Sequence, residues 1–195
     1  MQRTAGILIY NEVEGLDFAG PFEVFGISEK NQEKLYRCFT VAQHDELIST
    51  RNGLLVKPNF NFANCPDIDI LIVPGGYGAE QIEIHNRVLL DWLVLQKEKV
   101  DILASVCTGA FLLAKAGIIT NERVTTHWID IDDLQKEYPA LKVERNVKYI
   151  DNGSVMTAAG ISAGIELALH IVEKENGKDT ALQTARRMEY DWSEM

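Results

Sequence analysis

The sequence predicts an α/β three-layer sandwich, a mostly parallel sheet with helices on both faces and a cysteine at a sharp strand-to-helix elbow. Short, near-continuous apolar runs at residues 5–10, 68–73 and 102–106 read as strands buried on both faces, as parallel sheets require. Segments at helical spacing separate them, and the order strand, helix, strand, helix implies parallel pairing through right-handed crossovers. The run at 102–106 passes directly into Cys107 and then into a helical pattern from Thr108 onward. That places Cys107 in the crevice beyond a strand's carboxyl end, where open α/β sheets bind ligands.

Residues 5–10 (AGILIY) form the first expected strand, and 11–15 the polar loop after it. Asp17 then precedes a helical pattern in which Phe18, Phe22 and Phe25 share one face and Pro21 is tolerable in a first turn. By position alone Asp17 reads first as an N-cap. Residues 36–42 (YRCFTVA) alternate and carry β-branched and aromatic side chains, so they read as a strand in which Cys38 is packing. Residues 46–50 and 54–56 flank Arg51-Asn52-Gly53, whose Asn-Gly signals a peripheral hairpin.

The strand at 68–73 runs into Pro74-Gly75-Gly76-Tyr77-Gly78. Its glycines permit a backbone that aims N–H groups into the crevice, as a developing oxyanion needs, or simply a tight strand-to-helix turn. The loop is not GxGxxG, so a dinucleotide site has little support. Residues 87–99 carry Val88, Leu89, Trp92, Leu93 and Leu95 at helical spacing and lead back to the strand at 102–106. Ser105 and Gly109, two before and two after Cys107, are small, as an elbow around an exposed nucleophile requires. The helix N-terminus is expected to favour thiolate there. A small buried hydrophobe is the plainer reading of the same cysteine.

Gly117 ends the elbow helix, and residues 124–128 (VTTHW) precede a polar helix at 129–137. His127 is the one histidine beside an expected strand end, either a site residue or a structural hydrogen-bonding group. Residues 143–150 and 154–157 flank Asp151-Asn152-Gly153, a second hairpin signal. The small-residue stretch at 158–165 opens a helix running to about residue 175 that can approach its neighbours closely. Residues 180–190 form a last amphipathic helix, with no helix-turn-helix pair after it.

The length of 195 residues fits one domain, 1–195, with a substantial core. A net charge of -10 without a Lys/Arg cluster argues against nucleic acid as a partner. No apolar run approaches a membrane span, and the N-terminus shows no signal-peptide pattern, so no membrane association and a cytoplasmic location are expected. Cys38, Cys65 and Cys107 are odd in number without CxxC spacing, and the four histidines form no HxxxH pair. No disulfide framework, metal or organic cofactor is expected.

Five segments together resemble the ThiJ/PfpI superfamily, of the class I glutamine amidotransferase-like, flavodoxin-like fold. They are Asp17-Phe18-Ala19-Gly20-Pro21, Pro74-Gly75-Gly76-Tyr77-Gly78, Ser105-Val106-Cys107-Thr108-Gly109-Ala110, Thr125-Thr126-His127-Trp128 and Gly160-Ile161-Ser162-Ala163-Gly164-Ile165-Glu166, in the family's order. Peptidase-like members and the deglycase/glyoxalase branch usually carry Glu at the early acidic position, and peptidase-like members carry His directly after the nucleophile. Asp17 and Thr108 depart from both. That combination is similar to isonitrile hydratases and to the ligand-sensing amino-terminal half of AraC-type regulators. The regulator reading requires an attached DNA-binding region, so a hydratase comes first.

The resemblance implies a cofactor-independent enzyme that turns an isonitrile and water into an N-substituted formamide. Cys107 is then the nucleophile, and Asp17 the group that moves protons and positions water. Thr108 and the Gly76 backbone, with Gly75 and Tyr77, line the anion site, and Ser105 and His127 support it. A small-molecule substrate and a homodimer are implied as well. The competing expectations are a redox or stress sensor working through oxidation of Cys107, a deglycase/glyoxalase-like or peptidase-like activity, and a structural member with a vestigial site.

Overall fold

The computed structural model describes residues 2–192. The first half of the chain contains β1 (Arg3–Leu8), α1 (Gly15–Ile27), β2 (Glu29–Lys30), β3 (Glu33–Lys34), β4 (Tyr36–Ala42), β5 (Ile48–Ser49), β6 (Leu55–Val56), β7 (Phe60–Asn61) and β8 (Ile70–Val73). There follow α2 (Tyr77–Gln81), a 3₁₀ turn (Glu83–His85), α3 (Arg87–Lys97), β9 (Ile102–Val106) and α4 (Gly109–Lys115). The remainder forms β10 (Arg123–Val124), α5 (Ile131–Glu137), β11 (Lys142–Val143), β12 (Tyr149–Asp151), β13 (Val155–Ala158), α6 (Ala163–Asn176) and α7 (Lys178–Arg187).

Seven strands form the central sheet in the order β12-β13-β9-β8-β1-β4-β7. Every neighbouring pair is parallel except β12 with β13. Helices α1, α6 and α7 pack together on one face, and α2, α3 and α4 on the other. With both faces covered, every residue of β8 and β9 is buried, which explains why those stretches read as continuous apolar runs. Leu71, Ile72, Leu103, Leu112 and Leu113 are among the buried core, each contributing about 1.5–3 kcal/mol by leaving water.

From β1 the chain moves outward to β4 and β7, then returns to β8 on the other side of β1. The order reverses between β1 and β8, so the crevice at their carboxyl ends is the topological switch point. Two of the family-like motifs meet beside it. A Cβ on Gly20 of α1 would stand 2.9 Å from Ile165 Cγ1, and one on Gly164 of α6 would stand 3.1 Å from Val106 Cγ1. The small residues therefore let α1 and α6 close on each other and on β9.

The local differences from expectation have physical causes. The first strand begins at Arg3, and α5 begins at Ile131 instead of residue 129. Residues 143–150 do not form one strand, because Asn146 takes a φ of 60° and breaks the extended run. Lys142–Val143 pairs in parallel with Arg123–Val124, and only Tyr149–Asp151 completes the hairpin with Val155–Ala158. Pro21 is the seventh residue of α1, well past its first turn. It has no N–H to offer the Asp17 carbonyl four residues back, and its buried ring packs near Gly164.

Candidate active site

Cys107 occupies the turn between β9 and α4 with a φ of 56°, a left-handed conformation that costs a non-glycine residue on the order of 1–3 kcal/mol. External hydrogen bonds hold it there. Its N–H donates to the Ala158 and Ala159 carbonyls at 3.2 and 3.1 Å, and its carbonyl accepts from the Thr126 hydroxyl at 2.8 Å. A Cβ on Gly109 would come within 2.2 Å of the Val73 carbonyl oxygen, so the small residue expected after the elbow is required by α4 lying against β8.

Asp17 is the third residue of α1 and fully buried. It is not the cap: the helix begins two residues earlier, and Glu14 at the cap position makes no side-chain bond. Asp17 Oδ2 accepts the Gly75 N–H at 3.0 Å, while Oδ1 has no hydrogen-bond partner. Burial pushes its carboxyl up to about 7, with the Gly75 N–H and the influence of Cys107 pulling the other way. Desolvation is the main cause of the rise, with the Glu14 charge adding to it.

The thiol contradicts the expectation of a favoured thiolate. Burial and then the Asp17 carboxylate push Cys107 well above the ordinary thiol range, with Asp130 and Glu80 adding to the rise and the Thr108 N–H only partly offsetting it. Cys107 is 6% exposed, so lost solvation outweighs the end of a seven-residue helix. Cys38 and Cys65 are also raised by burial, to about 12 and about 11. Asp17 and Cys107 therefore titrate as a pair, sharing one proton between about pH 7 and the alkaline range.

The glycine loop serves the two side chains more than an open anion site. Gly76 has a φ of 116°, and its N–H bonds Thr108 Oγ1 at 3.0 Å, just as the Gly75 N–H bonds Asp17. A Cβ on Gly75 would stand 2.5 Å from the Thr108 nitrogen, so loop and elbow are in close contact. The buried Tyr10 hydroxyl, just past the end of β1, donates to the Pro74 carbonyl and anchors this loop. Tyr77 opens α2 with half its surface exposed. Ser105 is fully buried in β9, with its hydroxyl unpartnered.

His127 Nδ1 stands 3.2 Å from the Asp130 carboxylate, and its ring edge lies so close to Gly160 that a Cβ there would meet Cδ2 at 1.8 Å. Asp130 and Glu80, neither of them anticipated, act on Cys107 and are themselves raised by burial. Both line a cleft of about 550 Å³ with Ile84, His85, Phe111 and Lys115. Their signal in sequence is faint: Glu80 follows the glycine loop on α2, and Asp130 lies three residues after His127. Among the described residues no group of three or more His, Cys, Asp or Glu could hold a metal ion.

The family model of the DJ-1/PfpI family matches residues 3–174, a span that holds both the elbow cysteine and the buried acid. The chain belongs to the DJ-1/PfpI family. Among DJ-1/PfpI relatives, isonitrile hydratase of Pseudomonas putida is 32% identical over 185 residues, covering 95% of this chain and 77% of that protein. The HTH-type transcriptional regulator GbdR of Pseudomonas aeruginosa is 24% identical over 190 residues, covering 97% of this chain, which spans about half the regulator's length (51%). DJ-1beta of Drosophila melanogaster superimposes with a TM-score of 0.85 at 17% identity, covering 98% of this chain and 100% of that one. A ThiJ/PfpI family protein from Pseudomonas syringae gives 0.83 at 23%, covering 100% and 77%. Those two structures share the fold. Among the described residues no helix is long and apolar enough to cross a membrane.

Proposed function

We propose that this chain is an isonitrile hydratase-like enzyme in which Cys107 is the nucleophile and Asp17 the proton carrier. One observation carries the reading: a fully buried carboxyl with an unpartnered oxygen, its pKa raised to about 7, acting electrostatically on the elbow cysteine. The 32% identity to an isonitrile hydratase supports the choice of substrate class.

The chemistry balances on these two groups. The sulfur adds to the terminal carbon of R–NC as Asp17 takes the thiol proton and delivers it to that same carbon, giving the thioimidate R–N=CH–S–Cys107. Water then adds to this carbon, one of its protons passing through Asp17 to nitrogen, and the C–S bond breaks with return of a proton to sulfur. The product is R–NH–CHO, and the sum is R–NC plus H₂O. No electrons are exchanged and no cofactor is needed. The apolar enclosure that raises both groups favours a step in which charge stays small.

The test is incubation of the purified protein with an aromatic isonitrile, following formamide by chromatography. Formamide from the parent and none from Cys107→Ala is expected. Equal production by both proteins, or by neither, overturns the reading.

A further inference from the structure

We infer that Thr126 is the positioning residue for Cys107, closing a circuit of hydrogen bonds that holds the nucleophile in its left-handed turn. This rests on Cys107 being the reacting group, as proposed above.

A non-glycine residue at a φ of 56° persists only where its surroundings over-determine it. Three tethers do so. The Cys107 N–H is held by the Ala158 and Ala159 carbonyls at the end of β13. The Cys107 carbonyl receives the Thr126 hydroxyl at 2.8 Å, against a long 3.4 Å contact from the Ala110 N–H within α4. Thr126 is itself fixed to β13, because the neighbouring Thr125 N–H donates to Thr157 Oγ1 at 2.9 Å. The circuit therefore runs from Cys107 to Thr126, through Thr125 to Thr157, and along β13 back to Cys107. Thr126 and Thr157 are both fully buried, so water cannot replace either hydroxyl. The function of the circuit is aim: with both peptide groups clamped, the sulfur keeps its line to Asp17.

Without the Thr126 hydroxyl the turn can relax, and a nucleophile misplaced by about 1 Å can lose about 10²-fold in rate. Relaxation also exposes the sulfur, and burial is what keeps the thiol from ionising. The two effects oppose. In Thr126→Val, kcat for formamide should fall about 10²-fold with KM nearly unchanged. Alkylation of Cys107 by iodoacetamide, mapped by mass spectrometry from about pH 6 to 9, should become faster and its profile should shift to lower pH. Thr126→Ser keeps the hydroxyl and should restore both values. Thr157→Val should act in the same direction but more weakly, and combining it with Thr126→Val should add little, since both break one circuit.

Turnover and alkylation like the parent in Thr126→Val overturn the inference, as does a Thr126→Ser protein as impaired as the Val variant. Losses that multiply in the double variant overturn the circuit. If Thr126→Val fails to fold, the Ser and Thr157→Val arms decide. If the parent makes no formamide, the hydratase reading fails alone, and alkylation still tests Thr126.

Discussion

At Cys107 two influences oppose each other on one sulfur. The Thr108 N–H favours thiolate, while burial and the nearby carboxylates favour thiol, and the carboxylates and enclosure prevail. The pair of Cys107 and Asp17 carries two protons below about pH 7 and one above it. Since the proposed cycle moves a single proton between them, formamide production should rise as pH passes through about 7. Asp17→Asn should flatten that limb and lower turnover by about 10²–10⁴-fold, the usual contribution of general acid-base catalysis. Its amide oxygen can still accept the Gly75 N–H, so the fold should survive. Alkylation of Cys107 should move the other way and accelerate near pH 8, because the carboxylate charge that holds the thiol up is gone. Slower alkylation in the variant would show Asp17 acting mainly to deprotonate the sulfur in the free enzyme.

Between elements, contact distance decides which small residues are replaceable. Gly20 and Gly26 lie in the same helix, and a helical glycine costs stability relative to alanine wherever there is room for a methyl. A Cβ on Gly26 would meet nothing within 4 Å, so Gly26→Ala should stabilise the protein by about 0.4–1 kcal/mol. At Gly20 the added carbon would meet Ile165 Cγ1 at 2.9 Å, close to the branch of a buried side chain on α6. Gly20→Ala should therefore destabilise by about 1–3 kcal/mol despite its better helix propensity. Urea titrations of both variants check the pair. Equal stabilisation would mean that α1 and α6 are less tightly packed than they look.

Across the whole molecule, the sheet was legible because β8 and β9 are buried on both faces and so spell out continuous apolar runs. The elbow was legible because Gly109 has to be small where α4 lies against β8. Asp17 was ambiguous for a local reason: a carboxylate at the cap and one in the first turn look alike in sequence, and α1 starts at an uninformative glycine. The direction of the thiol shift was illegible because its causes are burial and then the charges of Asp17, Asp130 and Glu80, which separate parts of the chain bring around the sulfur. That same burial shapes global stability. Asp17, Glu80, Glu83, Asp130 and Glu175 are all pushed up by burial. Such a carboxyl binds its proton more tightly folded than unfolded, so above an unfolded value near 4 the native state holds the extra proton and stability falls as pH rises. For Asp17 the loss runs from about pH 4 to about 7 and is complete above that. Asp151 and Glu122 are held low, so their contributions disappear only as pH drops below about 4. The melting temperature should thus peak near about pH 5 and decline toward pH 8, with the self-repulsion of a net charge of -10 acting in the same direction. Calorimetry at fixed ionic strength should show a shallower decline for Asp17→Asn than for the parent. A melting temperature that holds level or climbs over that range would mean the buried carboxyls are ionised in the fold without penalty, and the rise in formamide production would then not fall near pH 7.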